Sequence, residues 1–231
     1  MFRTVLAAAA LCSALAVLPA TAAEPPRYNT VDLQADAQRE VANDLLNATL
    51  YVELNDASPA ALANGLNKTL GEALRVAKEY KSVRVRSGAN QTYPVYSRPG
   101  TLQGWRGRAE LRLESRDFEA ATALIGRLQA SLQLGSLNFS VAPDTRRTVE
   151  NELIAEAIAA FKARADIVKG ALGGRSYKIQ RLGLNSNSNV QQPRLMAARS
   201  ALSSAEVTPP AVEAGASTLT VNAAGAIEVI D

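Results

Sequence analysis

The chain has 231 residues, with 25 basic and 22 acidic side chains, no histidine and one cysteine. A chain of this length can bury an adequate core without disulfides, and so small a charge excess gives little reason to expect a nucleic-acid partner. Histidine is missing and Cys12 lies in an apolar leader, so the chain beyond it lacks the main ligands of zinc, haem and iron–sulfur centres. No cofactor is expected, and a Ser–His–Asp triad is excluded.

The leader follows the secretory plan. Arg3 is followed by an apolar run from Val5 to Leu18, then Pro19 and the small-x-small site Ala20-Thr21-Ala22. The run is shorter than the roughly 20 residues a spanning helix needs. Residues 1–22 are therefore expected to be a cleaved signal peptide. The expected product is residues 23–231, an exported periplasmic domain without a transmembrane segment.

Two alternating runs come next, Val31-Leu33-Ala35-Ala37 and Leu46-Ala48-Leu50-Val52-Leu54. With Asn43-Asp44 between them they predict a β-hairpin over Thr30–Leu54. Ser58-Pro59 marks a helix start, and Leu62, Leu66, Leu70, Ala73, Leu74 and Ala77 carry its apolar stripe to about Glu79. Gly65 and Gly71 weaken this helix, and close packing on a sheet is one reason to tolerate them. A strand is expected over Lys81–Val95, then a turn at Ser97-Arg98-Pro99-Gly100. In the strand Gly104–Glu114, Trp105, Gly107, Ala109, Leu111 and Leu113 take one face. Arg106, Arg108, Glu110, Arg112 and Glu114 take the other.

Asp117 caps a second helix, expected to run to Gly135, and Leu137, Phe139 and Val141 form a short strand. A long third helix is expected from an Asp144 cap, with Val149, Leu153, Ile154, Ala157, Ile158, Phe161, Ala165, Val168 and Leu172 on its apolar face and Gly173-Gly174 as its stop. Ser176–Leu184 reads as a strand. Residues 185–217, rich in Asn, Ser, Gln, Ala and Pro, read as a loose loop. Ser217–Val221 and Ala226–Ile230 close the chain as strand or hairpin, tied into a sheet made by earlier segments.

This order of elements, with several local segments, resembles the SIMPL-domain (DUF541) family of exported bacterial proteins. The segments are Tyr93-Pro94-Val95-Tyr96, Gly104-Trp105-Arg106, Leu134-Gly135-Ser136-Leu137-Asn138-Phe139-Ser140, the Ala-rich helix Thr148–Leu172 and Thr208-Pro209-Pro210 through Gly215. The resemblance covers nearly all of the chain after the leader. It implies an α+β fold with three helices covering antiparallel sheet, and an envelope location. It also implies assembly into large rings for some members, a link to oxidative-stress tolerance for others, and no established catalytic residues.

Two groups stand out as candidate site residues. Arg84, Arg86, Arg106, Arg108 and Arg112 form an arginine cluster suited to an anion or an interface. Against that, Glu110 and Glu114 interleave with them, which also fits a solvated sheet face with cross-strand pairs. Tyr93, Tyr96 and Trp105 flank the Pro99-Gly100 turn and suit ligand stacking, a sheet end or an interface. Glu150, Glu152, Glu156 and Asp166 share a helix; Glu152 and Glu156, one turn apart, suit Ca²⁺ or Mg²⁺, but no EF-hand loop is present and exposed helix charge is the expected reading. No Gly-x-Ser-x-Gly elbow and no Ser-x-x-Lys occurs.

The sequence therefore points to a non-enzymatic periplasmic envelope protein that self-assembles, with a structural or stress-protective role. Its expected partners are copies of itself and other envelope components. The alternative is a monomeric anion- or glycan-binding module.

Overall fold

The computed structural model describes residues 29–98, 100–189 and 213–231. The predicted signal peptide, most of the loose segment and Thr208-Pro209-Pro210 lie outside the described residues. In chain order the elements are β1 (Thr30–Ala42), β2 (Leu45–Asp56), α1 (Pro59–Ala77), β3 (Arg84–Tyr96), β4 (Leu102–Ser115), α2 (Phe118–Leu128), β5 (Gln133–Ser140), α3 (Pro143–Ala171), β6 (Ser176–Asn189) and β7 (Ala216–Ile230). Two antiparallel sheets result, β3-β4-β2-β5 and β1-β7-β6. With three helices packed on them, the fold is α+β, as the sequence implied.

Each sheet has its own core. In the larger one, Leu46, Leu50, Leu111 and Leu113 of the strands meet Leu62 and Leu66 of α1 and Leu124 and Leu128 of α2. In the smaller one, Leu153, Ala157, Phe161 and Ala165 of α3 lie on Leu219, Val221, Ala223 and Ile227 of β7 and Ala35 of β1. Their i, i+4 spacing puts one narrow stripe of α3 against the sheet. Leu172 is left exposed.

The expected hairpin does not form. β1 pairs with β7, and β2 pairs with β4 and β5, so Asn43-Asp44 is a crossover between sheets rather than a turn. Asn43 is buried there. Its backbone N–H donates to the Gly215 carbonyl at 3.1 Å, its Nδ2 donates to the Ala214 carbonyl at 2.7 Å, and Ser217 Oγ donates to its Oδ1 at 2.6 Å. These bonds dock the crossover onto the start of β7, the strand that lies between β1 and β6.

The helix starts follow the capping chemistry at α1 and α2. Ser58 Oγ accepts from the Ala61 N–H, and Asp117 Oδ1 accepts from the Ala120 N–H at 3.0 Å. The Ala120 N–H, and then the Ser82 hydroxyl, hold the Asp117 carboxyl below its ordinary range. The third cap differs from expectation. The N-cap of α3 is Ala142, which has no side-chain cap of its own. Asp44, remote in sequence, supplies it: the Ala142 N–H donates to Oδ1 and the Thr145 hydroxyl to Oδ2, both at 2.6 Å.

Other boundaries also shift. α2 ends at Leu128, and Gly135 lies inside β5, where an added Cβ would sit 3.2 Å from both the Thr49 carbonyl oxygen and the Tyr51 ring. Gly65 does pack closely, with Leu54 Cδ1 3.2 Å from such a Cβ, but Gly71 has nothing within 4 Å and no packing reason. α3 stops as expected. Gly173 has φ 76°, its N–H donates to Gly170, and the Gly174 N–H donates to Lys169 at 3.0 Å, a Schellman closure. The loose loop is shorter than read, because residues 185–189 belong to β6 and pair with residues 218–222. The final segments form one continuous strand, β7, tied into the sheet of β1 and β6.

Candidate functional site

All eight candidate residues lie on the β3–β4 ribbon, but they do not form one group. Residues directly opposite each other in an antiparallel pair share a face. Along the uncovered face of the larger sheet the rows run Tyr93–Arg106–Asn55, Gln91–Arg108–Glu53, Arg86–Arg112–Thr49 and Arg84–Glu114–Asn47. Glu110 and Tyr51 form a row between the second and the third. The face is thus divided in two.

In the half toward the β3–β4 turn the arginines are satisfied. Arg106 Nε donates to Asn55 Oδ1 at 3.0 Å and lies 3.7 Å from Glu53. Arg108 Nε donates to Glu110 Oε1 at 3.3 Å, and its guanidinium stacks 3.7 Å above the Tyr51 ring. Trp105 is not part of this face. It is half-buried and packs against the larger core, pointing away from Arg106 as strand alternation requires. Tyr93 and Tyr96 are exposed at the ribbon tip, with Leu102 exposed directly opposite Tyr96.

The other half holds Arg84, Arg86 and Arg112. Arg86 stands directly opposite Arg112, a like-charge pairing. Among the described residues neither has a carboxylate within 4.0 Å, and Arg84 reaches Glu114 only at 3.8 Å. The ladder is interrupted between Ser87 and Asn90. Gly88 sits at this bulge, where an added Cβ would meet Glu110 Cβ at 2.9 Å and Arg112 Cγ at 3.4 Å. The bulge helps shape a concavity of about 470 Å³, lined by Asn47, Thr49, Arg84, Arg86, Arg112 and Glu114.

Asn47 and Thr49 are site residues that the sequence reading missed. Their polar character at alternate positions of β2 was legible. That β2 lies beside β4 was not.

The helix carboxylates are structural. Glu152 and Glu156 both pair with Arg39 of β1, the second at 2.5 Å, and clamp α3 to its sheet. Among the described residues no group of three or more acidic, cysteine or histidine side chains is placed to hold a metal ion. No described helix is long and apolar enough to cross a membrane.

The two helix-covered antiparallel sheets define an α+β domain. The chain belongs to the SIMPL family: the family model, described as a protein of unknown function (DUF541), matches residues 31–226. No curated protein matches the chain. A crystal structure of a candidate amidohydrolase/peptidase from Burkholderia cenocepacia is similar at 18% identity and a TM-score of 0.24, covering 52% of this chain and 34% of that one. The chain therefore spans about a third of that protein's length.

Proposed function

We propose that this SIMPL-family protein is an exported, non-enzymatic component of the bacterial envelope that works by assembling with copies of itself, in a structural or stress-protective role. The observation that carries the assembly is the β3–β4 tip. β2 accompanies β4 only as far as Trp105, so the ribbon runs on beyond its sheet. The projecting part exposes Tyr96 and Leu102, and Tyr93 is exposed beside it where β2 still pairs with β4; such aromatic and aliphatic side chains anchor protein interfaces. Ile167 of α3, Leu172 at its C-cap and Ile230 of β7 are also exposed. Contact between two different patches is heterologous and builds rings or filaments rather than a closed pair. Any protection from oxidants is indirect, since the chain beyond the leader has no thiol to offer.

Light scattering coupled to size exclusion on residues 23–231 tests this reading. A discrete oligomer is expected, reduced to smaller species by Tyr96→Ser with Leu102→Ser. A monomer at high concentration would overturn it. The second reading, an anion-binding module, is favoured by the unneutralised pair Arg86 and Arg112 alone.

A further inference from the structure

We propose that Arg84, Arg86 and Arg112, with Asn47 and Thr49, bind a phosphomonoester carried on a hydroxylated molecule. The inference deepens the second reading above and is independent of assembly, which rests on the ribbon tip.

Like charges directly opposite in a sheet are destabilising. The face has carboxylates enough to neutralise arginines, as Arg106 and Arg108 show. Yet Arg86 and Arg112 face each other without one, across a strand pair whose bulge places Gly88 against the Arg112 stem. An anion held between the two guanidiniums removes the repulsion and satisfies both forks.

The charge balance selects the anion. Three arginines against Glu114 line the concavity. A carboxylate brings one charge and two oxygens. A phosphomonoester brings about −1.5 to −2 and three acceptor oxygens, enough for more than one arginine. The remaining polar lining is Ser87, the Thr49 hydroxyl, the Glu114 carboxylate and Asn47, whose Nδ2 donates to Ser140 Oγ at 3.0 Å and leaves its Oδ1 to accept; these suit hydroxyl groups beside the phosphate. Two sources share this chemistry, a soluble sugar phosphate and a lipid headgroup.

The test is titration calorimetry of the purified protein with glucose 6-phosphate, with glucose as the blank, alongside sedimentation with phosphatidylcholine vesicles carrying phosphatidic acid. Saturable binding to at least one phosphorylated probe is expected, and none to glucose. Saturation by the sugar phosphate alone identifies a soluble ligand, and by the vesicles alone a headgroup. Arg112→Gln and Arg86→Gln should each weaken binding by about tenfold, the loss of a charge-assisted bidentate contact. Arg181→Gln on the other sheet removes the same charge and should change nothing. Each site variant should melt no lower than the parent, because it removes a repulsion; if one fails to fold, the other carries the test. Failure of both phosphorylated probes to saturate overturns the proposal, as does equal weakening by Arg181→Gln. A monomer in light scattering leaves it standing.

Discussion

Asn43 and Asp44 show how two adjacent polar residues can set the topology. Their composition suggests a turn. Each instead satisfies a distant backbone group: Asn43 the carbonyl of Ala214 just before β7, Asp44 the N–H of Ala142, the N-cap of α3. A helix start leaves its first N–H groups without intrahelical partners, and capping them is worth about 1–2 kcal/mol when the cap is replaced by Ala. Asp44→Ala should therefore destabilise the protein by about 1–2 kcal/mol, lowering the melting temperature by about 2–4 °C for each kcal/mol in a chain of this size. Asp144, which the sequence presents as the cap, lies inside the helix with its carboxylate paired to Arg116. Asp144→Ala should cost less. Calorimetry of both variants decides, and a larger loss for Asp144→Ala would show that the remote cap is not what starts α3.

At the scale of elements, glycine separates positions of close approach from positions of mere tolerance. α1 crosses β4 at Gly107, where an added Cβ would lie 2.7 Å from Leu66 Cδ1 and 3.1 Å from Leu62 Cδ2. Both leucines are fully buried and have no room to retreat. Gly107→Ala should cost about 1–3 kcal/mol, as overpacking does. Gly126 in α2 has open space around it, so Gly126→Ala should stabilise by up to about 1 kcal/mol. Urea titration of the pair checks both signs, and equal effects would mean that α1 does not sit this close. The same physics explains what the sequence revealed. β4 was legible because one face lies under helices and the other meets water, so apolar and charged residues alternate. The last residues of β6 carried no such signal, since Asn185, Ser186 and Asn187 are exposed on both faces and only their pairing with β7 makes them a strand. The arginines of β4 were visible for the reason β4 was. Arg86 opposite Arg112 was not, because their alignment passes next to an irregularity that no local pattern reports.

Across the whole molecule, the two sheets are built over very different sequence distances. The larger sheet draws its strands from residues 45–140, so its widest pairing, Leu45 with Ser140, spans less than half the chain. The smaller sheet must bring Thr30 to Glu228, nearly the full length of the chain. Closing so long a loop delays its contacts, which puts the larger sheet first in folding. The two buried clusters share no residue, so each core can in principle open alone. The single tryptophan, Trp105, packs against the larger core and reports on it alone, while the helical signal is shared about equally between the 29 residues of α3 on the smaller core and the 19 and 11 of α1 and α2 on the larger. Phe161 is the largest fully buried side chain among the described residues and belongs to the smaller core. Phe161→Ala should cost about 3–5 kcal/mol. If the cores open separately, part of the far-ultraviolet ellipticity is lost in an earlier urea phase while the Trp105 fluorescence midpoint stays in place. Movement of both midpoints together would instead show one cooperative unit. The bonds of Asn43 to Ala214 and Ser217 would then be the coupling, and adding Asn43→Ala to the same background should split the transitions.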